Sequence, residues 1–379
     1  MEKEKIVDIF LKRGLMIDQD SLDYFSRNPE QVKIFLEKIV KMEVPPVVKI
    51  DLIKSILEEV EIKEIKKKAL NVKNFSVDDI SRILLERYEK IKSFFSYRMD
   101  IVNLISINKI TEKTKKFSLI VMVRDINKEN KSAVVEDFTG EISVFFKNNF
   151  FGQIVQDEVV GLVCEKTNDK IEVTNVLWPD VPLRRKVANL EEDVYCFFIL
   201  GKWIKEYEKK ILEEISKINY KKLIFLFVES YEKKQIEELK EKLPINTKLI
   251  LITKEKLELE DVTSFSPPAF LLINGKVNLL LCDGKMFSPY KNILGERTEE
   301  IMLNLLKKRH LNPIFTIERV LEEDCFLIEP VPDIFLSFDF GTSGLINYKG
   351  TTIISSGSSE RIFWIVNLKT RENLKIDLI

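Results

Sequence analysis

At 379 residues the chain exceeds the size at which one hydrophobic core usually keeps growing, so two or three domains are expected. Its 60 Lys and Arg against 61 Asp and Glu leave a formal charge of −1, which argues against a surface made throughout to attract nucleic acid and leaves room for a local basic groove. Cys164, Cys196, Cys282 and Cys325 lie far apart with no CxxC spacing, so a structural zinc site is not expected and free thiols in a reducing compartment are. The start MEKEKIVDIFLKRG lacks the apolar stretch of a signal peptide, and no run of 18 residues is free of charge. A soluble, intracellular protein is the expectation.

Residues 1–95 read as a helical module with a charged linker. Apolar residues recur at helical spacing in Ile6, Ile9 and Phe10, in Val32, Phe35, Leu36 and Ile39, and in Ile80, Ile83, Leu84 and Tyr88. Asp18 and Ser76 stand where helix starts are expected, and Pro45-Pro46 breaks the run between them. The residue chemistry offers nothing catalytic, so a binding or positioning role is expected.

From about residue 98 to 180 the pattern changes to short strands at 117–126, 132–146 and 157–179, separated by Asn-Lys, Thr-Gly and Asn-Asp turns. Gly140 splits the second stretch into a hairpin, after which Ile142, Val144 and Phe146 alternate toward one face. About five strands in so short a span suggest an OB-type barrel. Such barrels often bind single strands on aromatic platforms flanked by basic side chains. Phe117, Phe145, Phe146, Phe150 and Phe151, with Lys115, Lys116, Lys128, Lys131 and Lys147, are available for this; the same phenylalanines equally suit a barrel core.

After the turn-rich stretch 178–185, residues 190–379 alternate strand and helix, then become strand-rich. Strands are expected at 194–201, 221–230, 247–253, 269–273, 277–284, 325–332, 334–339, 351–357 and 361–369, with helices at 204–218, 233–243 and 298–308. The whole is an α+β multidomain chain ending in a two-sheet α/β sandwich.

Several short stretches, in this order and spacing, resemble the small subunit of the archaeal family D replicative DNA polymerase and the related B subunits of eukaryotic replicative polymerases. They are Asp137-Phe138-Thr139-Gly140, Trp178-Pro179-Asp180-Val181-Pro182, Lys307-Lys308-Arg309-His310-Leu311-Asn312-Pro313, Pro330-Val331-Pro332-Asp333-Ile334-Phe335, and Tyr348-Lys349-Gly350 followed by Ile354-Ser355-Ser356-Gly357-Ser358. The resemblance implies a helical N-terminal part, an OB domain and a calcineurin-like phosphodiesterase domain that holds the large polymerase subunit. Active archaeal members of that family carry two divalent metals and act as 3′-to-5′ exonucleases. Two such ions bridge a phosphate, activate water and stabilise the leaving oxygen, which requires a set of aspartates and several histidines.

Here the chain has a single histidine, His310. The family's Asp-x-His element falls on Gly201-Lys202-Trp203, and its second aspartate falls near Val228, beside Glu229. The Gly-Asn-His-Asp element falls on Thr253-Lys254-Glu255-Lys256, a further histidine on Asp283, and the final histidine pair on Asp339 and Gly341. His310 matches a segment outside those elements, near a helix end where packing, capping or the helix dipole suits it. An all-carboxylate site from Asp283, Asp339 and either Glu229 or Asp324 is chemically conceivable, and solvated loop acids explain the same residues more simply. No G-x-S-x-G elbow or P-loop offers another enzyme class.

The expected function is therefore a non-catalytic small subunit of a replicative polymerase, in the archaeal cytoplasm at the nucleoid. It would bind no metal or cofactor of its own and would hold the C-terminal, zinc-containing region of a large catalytic subunit. Val331, Pro332, Ile334 and Phe335, with Ile362, Phe363 and Trp364, are candidates for that face or for the core. The competing expectations are a stand-alone single-strand-binding protein and a weak metal-dependent exonuclease.

Overall fold

The computed structural model describes all residues except 1, 41–43, 58, 67–75, 148, 169, 219, 230–232, 245, 255–258, 260–261 and 317–323, and except the side chains of 55, 97, 149 and 150. The chain begins with α1 (Lys3–Leu11), β1 (Met16–Ile17), α2 (Gln19–Arg27), α3 (Glu30–Ile39), β2 (Val47–Val48) and α4 (Ile50–Leu57). Asp18 caps α2 by accepting the Ser21 N–H at 2.9 Å. On α3, Val32, Phe35, Leu36 and Ile39 form one buried stripe at helical spacing. It meets Phe10 and Phe25, whose rings stand 6.0 and 5.4 Å from that of Phe35.

The next strand, β3 (Ile62–Lys66), does not stay with these helices. It adds antiparallel to the edge of a sheet some 200 residues later in the chain, Ile62 opposite Ile273 and Lys66 opposite Phe270. The helix α5 (Val77–Phe94) starts at a Ser76/Asp79 capping box and lies against the barrel.

That barrel is closed by β4 (Lys116–Asn127), β5 (Ser132–Asp137), β6 (Gly140–Phe146), β7 (Val159–Thr167) and β8 (Lys170–Leu177), in the order β4-β5-β6-β8-β7. Leu119, Val121 and Val123 point into the barrel, while Ile120 and Met122 point out and pack beneath Tyr88, Ile91 and Phe95. Burial on both faces explains why β4 reads as a continuous apolar run instead of alternating.

The remaining chain builds two six-stranded sheets. Its elements are β9 (Val194–Leu200), α6 (Gly201–Ser216), β10 (Lys221–Phe227), α7 (Lys233–Lys242), β11 (Thr247–Ile252), β12 (Thr263–Phe265), β13 (Ala269–Ile273), β14 (Val277–Asp283), α8 (Thr298–Lys308), β15 (Ile334–Phe338), β16 (Ser343–Tyr348), β17 (Thr351–Ser356), β18 (Ile362–Asn367) and β19 (Asn373–Asp377). The sheet orders are β12-β11-β10-β9-β18-β19 and β16-β17-β15-β14-β13-β3. Phe198, Leu223, Phe225 and Ile250 of the first sheet share one core with Leu271, Leu279, Leu336 and Ile354 of the second. The outward Phe197, Ile199, Ile224 and Leu226 pack with residues of α6 and α7, and Leu280, Phe335 and Ile353 pack with residues of α8. A sandwich of two sheets with helices outside is the result.

The stretch 325–332 is not a strand, contrary to expectation: Pro330 and Pro332 lack the N–H a ladder needs, and Leu327 makes only an isolated bridge to His310. The strands β3, β12, β16 and β19 were not anticipated; all four sit at sheet edges, where burial leaves the weakest apolar signal.

Four of the short stretches that carry the family resemblance, 178–182, 307–313, 330–335 and 348–350, meet where the barrel joins the sandwich. Lys308 at the end of α8 donates to the Glu158 carboxylate at 2.6 Å and to the Gln153 carbonyl at 2.7 Å, and lies 4.6 Å over the Trp178 ring. Trp178 Nε1 donates to Glu158 at 3.3 Å. Asp180 accepts from the Tyr348 hydroxyl at 3.0 Å and from Lys349 Nζ at 2.5 Å, while its own N–H donates to the Lys307 carbonyl at 2.8 Å. Asp333 accepts from the Asn278 N–H at 2.8 Å and the Ala188 N–H at 3.3 Å and pairs with Arg185, which anchors the connection after the barrel to the second sheet.

His310 belongs to the same seam. Its Nδ1 accepts the Asn312 N–H at 3.1 Å, so Nε2 carries the proton toward Asp324 at 2.9 Å. Asp324 also takes the Arg87 Nε at 2.6 Å, and Arg87 donates onward to the Pro313 carbonyl, also at 2.6 Å. One triad thereby ties α5 to the loop after α8. Burial pushes the His310 pKa below its ordinary value against the pull of Asp324, and Arg87 and Lys66 push the same way. Burial works against the charged form of Asp324, but the His310 N–H and the charged, hydrogen-bonded Arg87 outweigh it and hold that carboxyl well below the usual range. A histidine kept neutral contributes stability above its unfolded pKa of about 6.5 and loses it as pH falls below that value. The lone imidazole should therefore titrate below about 6.5 in the folded protein, as read by proton NMR. A midpoint above that value would show that the pull of Asp324 outweighs burial.

Candidate functional site

In open parallel sheets, ligand sites lie outside the carboxyl ends of strands. Here the ends of β9, β10 and β15 line a cavity of about 250 Å³ bounded by Leu200, Gly201, Lys202, Lys205, Phe227, Val228, Glu229 and Asp339. The loops after β11 and β14 reach the same cluster through Lys254, Asp283 and Lys285.

Each carboxylate in this cluster has an ammonium partner. Lys202 Nζ pairs with Asp339 and donates to the Ser358 carbonyl at 2.6 Å. Lys285 Nζ bridges Glu229 and Asp339, the latter at 3.1 Å. Lys254 Nζ lies 3.0 Å from Asp283, which also accepts the Lys285 backbone N–H at 3.0 Å. The Asp283 and Asp339 side chains are each 11% exposed, whereas the three lysines are about half exposed and lie over them. The hydrogen bond to Glu229 and the neighbouring Asp339 raise the Lys285 pKa, keeping this ammonium charged.

The residues at the family's ligand positions do not fit a two-metal centre. Gly201 opens α6 and carries no donor side chain. Trp203 is partly buried, and its Nε1 has no acceptor among the described residues. Val228 packs into the core beneath the helices. Gly341 is held at φ +57°, and a Cβ there would collide with Thr298 Oγ1, so any ligating side chain at this position would be strained. Glu255 and Lys256 lie outside the described residues. Among the described residues, no three His, Cys, Asp or Glu side chains come together as a metal site would need. Asp324, considered above as a possible ligand, is instead committed to Arg87 and His310 at the seam.

The expected partner face is also corrected. Val331, Pro332, Ile334, Phe335, Ile362, Phe363 and Trp364 are all buried within the chain. The reason is position: β15 lies between β14 and β17, and β18 between β9 and β19, with both faces of each strand covered, while Val331, ahead of β15, packs in the cluster that holds Phe335 and residues of α8. Large apolar side chains that do reach the surface include Met99, Val102, Phe138 and Leu183. Phe138, at the tip of the β5–β6 turn, rests edge-on against Tyr88 with ring centres 4.6 Å apart. Its presence in a tight turn between polar neighbours was the sequence signal for exposure.

On the barrel, Phe117 is buried in the core and offers no stacking platform. Phe145 is partly buried with Lys170 Nζ 5.4 Å from its ring centre. Lys147 pairs with Glu172, and Lys116 with Glu165 at 2.8 Å. Lys115, Lys128 and Lys131 are exposed. The structure brings Lys131 beside Phe145 and Lys147, since the Lys131 carbonyl accepts the Phe146 N–H at 2.9 Å. Among the described residues there is no continuous aromatic row along them: Phe146 is buried and Phe151 is packed on it, and the Phe150 side chain lies outside the described residues.

No family model matches the chain. The DNA polymerase II small subunit of Methanothermobacter thermautotrophicus is 23% identical over 355 residues, covering 74% of this chain and 73% of that one. The chain is a relative of this archaeal DNA polymerase small subunit. The similarity agrees with the resemblance read from the short stretches at the seam. Among solved structures, a novel archaeal phosphodiesterase is 10% identical, covers 48% of this chain and 98% of its own, and gives a TM-score of 0.30. A protein of Thermus thermophilus gives 11% identity, coverage of 49% and 99%, and a TM-score of 0.29. At such TM-scores neither adds to the reading. No helix among the described residues is long and apolar enough to cross a membrane.

Proposed function

We propose that this chain is a non-catalytic accessory subunit of a replicative DNA polymerase, built on a calcineurin-like phosphodiesterase sandwich fused to an OB-type barrel. The observation that carries the reading is its similarity to a polymerase small subunit across about three quarters of both chains. The partner is a large catalytic subunit, and any zinc belongs to that partner. The chain's own part is mechanical. Buried ion pairs along the seam fix the barrel, α5 and the sandwich as one rigid body, which can present a fixed surface to a second chain. Rigid surfaces bind with less loss of conformational freedom than mobile ones.

Hydrolysis has no support at the strand-end cluster, where ammonium groups meet the carboxylates that would have to hold metal. The test is an exonuclease assay on mismatched primer–template with manganese, using the full chain and its Asp339→Asn variant. The wild-type and variant rates should both equal the protein-free control. Metal-dependent hydrolysis by wild type that Asp339→Asn abolishes would refute the non-catalytic reading.

A further inference from the structure

We propose that the exposed rim of the barrel–sandwich seam, formed by Met99, Leu183, Arg184, Lys186 and Val187, is where the large polymerase chain docks, through an apolar segment bearing acidic side chains. This rests on the accessory-subunit reading above and gives it a location. Met99 is 94% exposed and Leu183 86%, the two highest values among the large apolar side chains of the described residues. Both stand on braced turns. Arg98 Nε donates to the Asp100 carboxylate at 2.8 Å and Arg98 Nη1 to the Trp178 carbonyl, also at 2.8 Å, so the residue between the paired charges is held outward. The Pro182 carbonyl closes a second turn by accepting the Arg185 N–H at 3.3 Å, and Arg185 is anchored by Asp333 and by Thr351 Oγ1 at 3.0 Å. Leu183 and Arg184 are the central residues of that turn, and both face solvent. Val187 follows and rests on Gly350, where an added Cβ would come within 2.4 Å of it. The two turns are neighbours: Lys349 Nζ donates to Asp180 at 2.5 Å and to the Val181 carbonyl at 3.3 Å, and its charge also reaches Asp100.

A single exposed apolar side chain needs no explanation. Here three lie together on fixed backbone, beside the junction at which the stretches resembling polymerase small subunits meet. Charge then decides the kind of partner. Asp100 and Asp180, the acids beside these turns, are already paired with Arg98 and Lys349. Arg184 and Lys186 are exposed and have no carboxylate partner among the described residues. The rim is therefore apolar with unmatched positive charge, which is complementary to carboxylates set around an apolar anchor. Met and Arg are side chains that docking surfaces favour, and anchors already held in place lose little freedom on binding.

The experiment recovers the full chain through a tag from its own cells and measures how much of a larger chain with DNA polymerase activity comes with it. Met99→Asp/Leu183→Asp should retain at least about tenfold less of that chain than wild type, because both anchors are lost and the new charges repel the partner's acids. Arg184→Glu/Lys186→Glu should lose several-fold, and its difference from wild type should shrink as salt rises. Leu11→Asp, at a 56% exposed position on the N-terminal helices, should retain the chain as wild type does. Urea midpoints of all four proteins should agree, since every altered side chain is exposed; if the Met99/Leu183 pair lowers the midpoint, Leu183→Asp alone carries the test. Equal recovery by folded variants, from cells in which wild type brings the polymerase chain, overturns this surface and leaves the accessory reading standing. A wild type that brings no polymerase chain overturns the reading and the surface together. If the variants instead lose only self-association or oligonucleotide binding, the surface belongs to a second copy or to nucleic acid, and the proposal is overturned.

Discussion

Replacing Lys308 with methionine is expected to destabilise the chain by about 3–5 kcal/mol, because it leaves the Glu158 carboxylate buried without a counter-charge. Both side chains are 2% exposed, and their 2.6 Å contact joins the barrel to the end of α8. After the substitution, Glu158 would keep only the Val155 N–H at 3.0 Å and the Trp178 Nε1 at 3.3 Å. Burial already raises the Glu158 pKa, with Lys308 opposing that rise, so the variant's carboxyl would move further up. A folded pKa above the unfolded one favours the native state as pH falls, so the loss should be smaller at about pH 5 than at about pH 8. Exchanging both partners for apolar residues should recover much of the stability, since the cost comes from the stranded charge. Urea unfolding of wild type, Lys308→Met and Glu158→Met/Lys308→Met checks this. A change within about 0.5 kcal/mol for the single variant would show that the pair is not buried as described.

Asp333→Ala should cost a similar amount, about 3–5 kcal/mol, by a different route. Asp333 has a 1% exposed side chain placed against Arg185 and, at 3.5 Å, Arg371. Burial lowers the pKa of both guanidinium groups and Asp333 opposes that, so removing it leaves two largely buried cations side by side. The Asn278 and Ala188 N–H groups lose their acceptor as well. Because Arg185 and Ala188 lie on the connection between barrel and sandwich, that connection should loosen before the sheets do. Limited trypsin digestion should therefore cut Asp333→Ala near Arg184 or Lys186 much sooner than wild type. Equal digestion rates and equal urea midpoints would rule out Asp333 as the anchor of this connection.

Much of the framework was legible because it depends on periodicity. The run 117–126 marked a strand, and the glycine at 140 marked the hairpin that follows. The alternation from 194 to 253 marked a sheet covered by helices, and the structure pairs β9, β10 and β11 in parallel, as helical crossovers allow. Of the two roles open to 331–335 and 362–364, partner face or core, the structure supports core, for a physical reason. Ile334, Phe335 and Leu336 are apolar on both sides of β15 because both sides are covered, and that pattern marks a central strand, not an exposed one.

The site was legible in one respect and hidden in another. The loss of ligating side chains could be read position by position, because Gly201, Trp203, Val228 and Gly341 lack suitable donors whatever their surroundings. Lys254 already put positive charge into the family's metal element. Lys285 lies outside every matched element, so its bridge between Glu229 and Asp339 required three-dimensional proximity to be seen. The partners of His310 were hidden for the same reason: Arg87 precedes it by more than 200 residues and reaches it only through Asp324.

The most direct measurement is native mass spectrometry of the assembly recovered through a tag on this chain from its own cells. An accessory polymerase subunit predicts a stoichiometric complex with a much larger chain that carries DNA polymerase activity. Recovery of this chain only as a free species or a self-assembly, with no polymerase activity in the fraction, would contradict it.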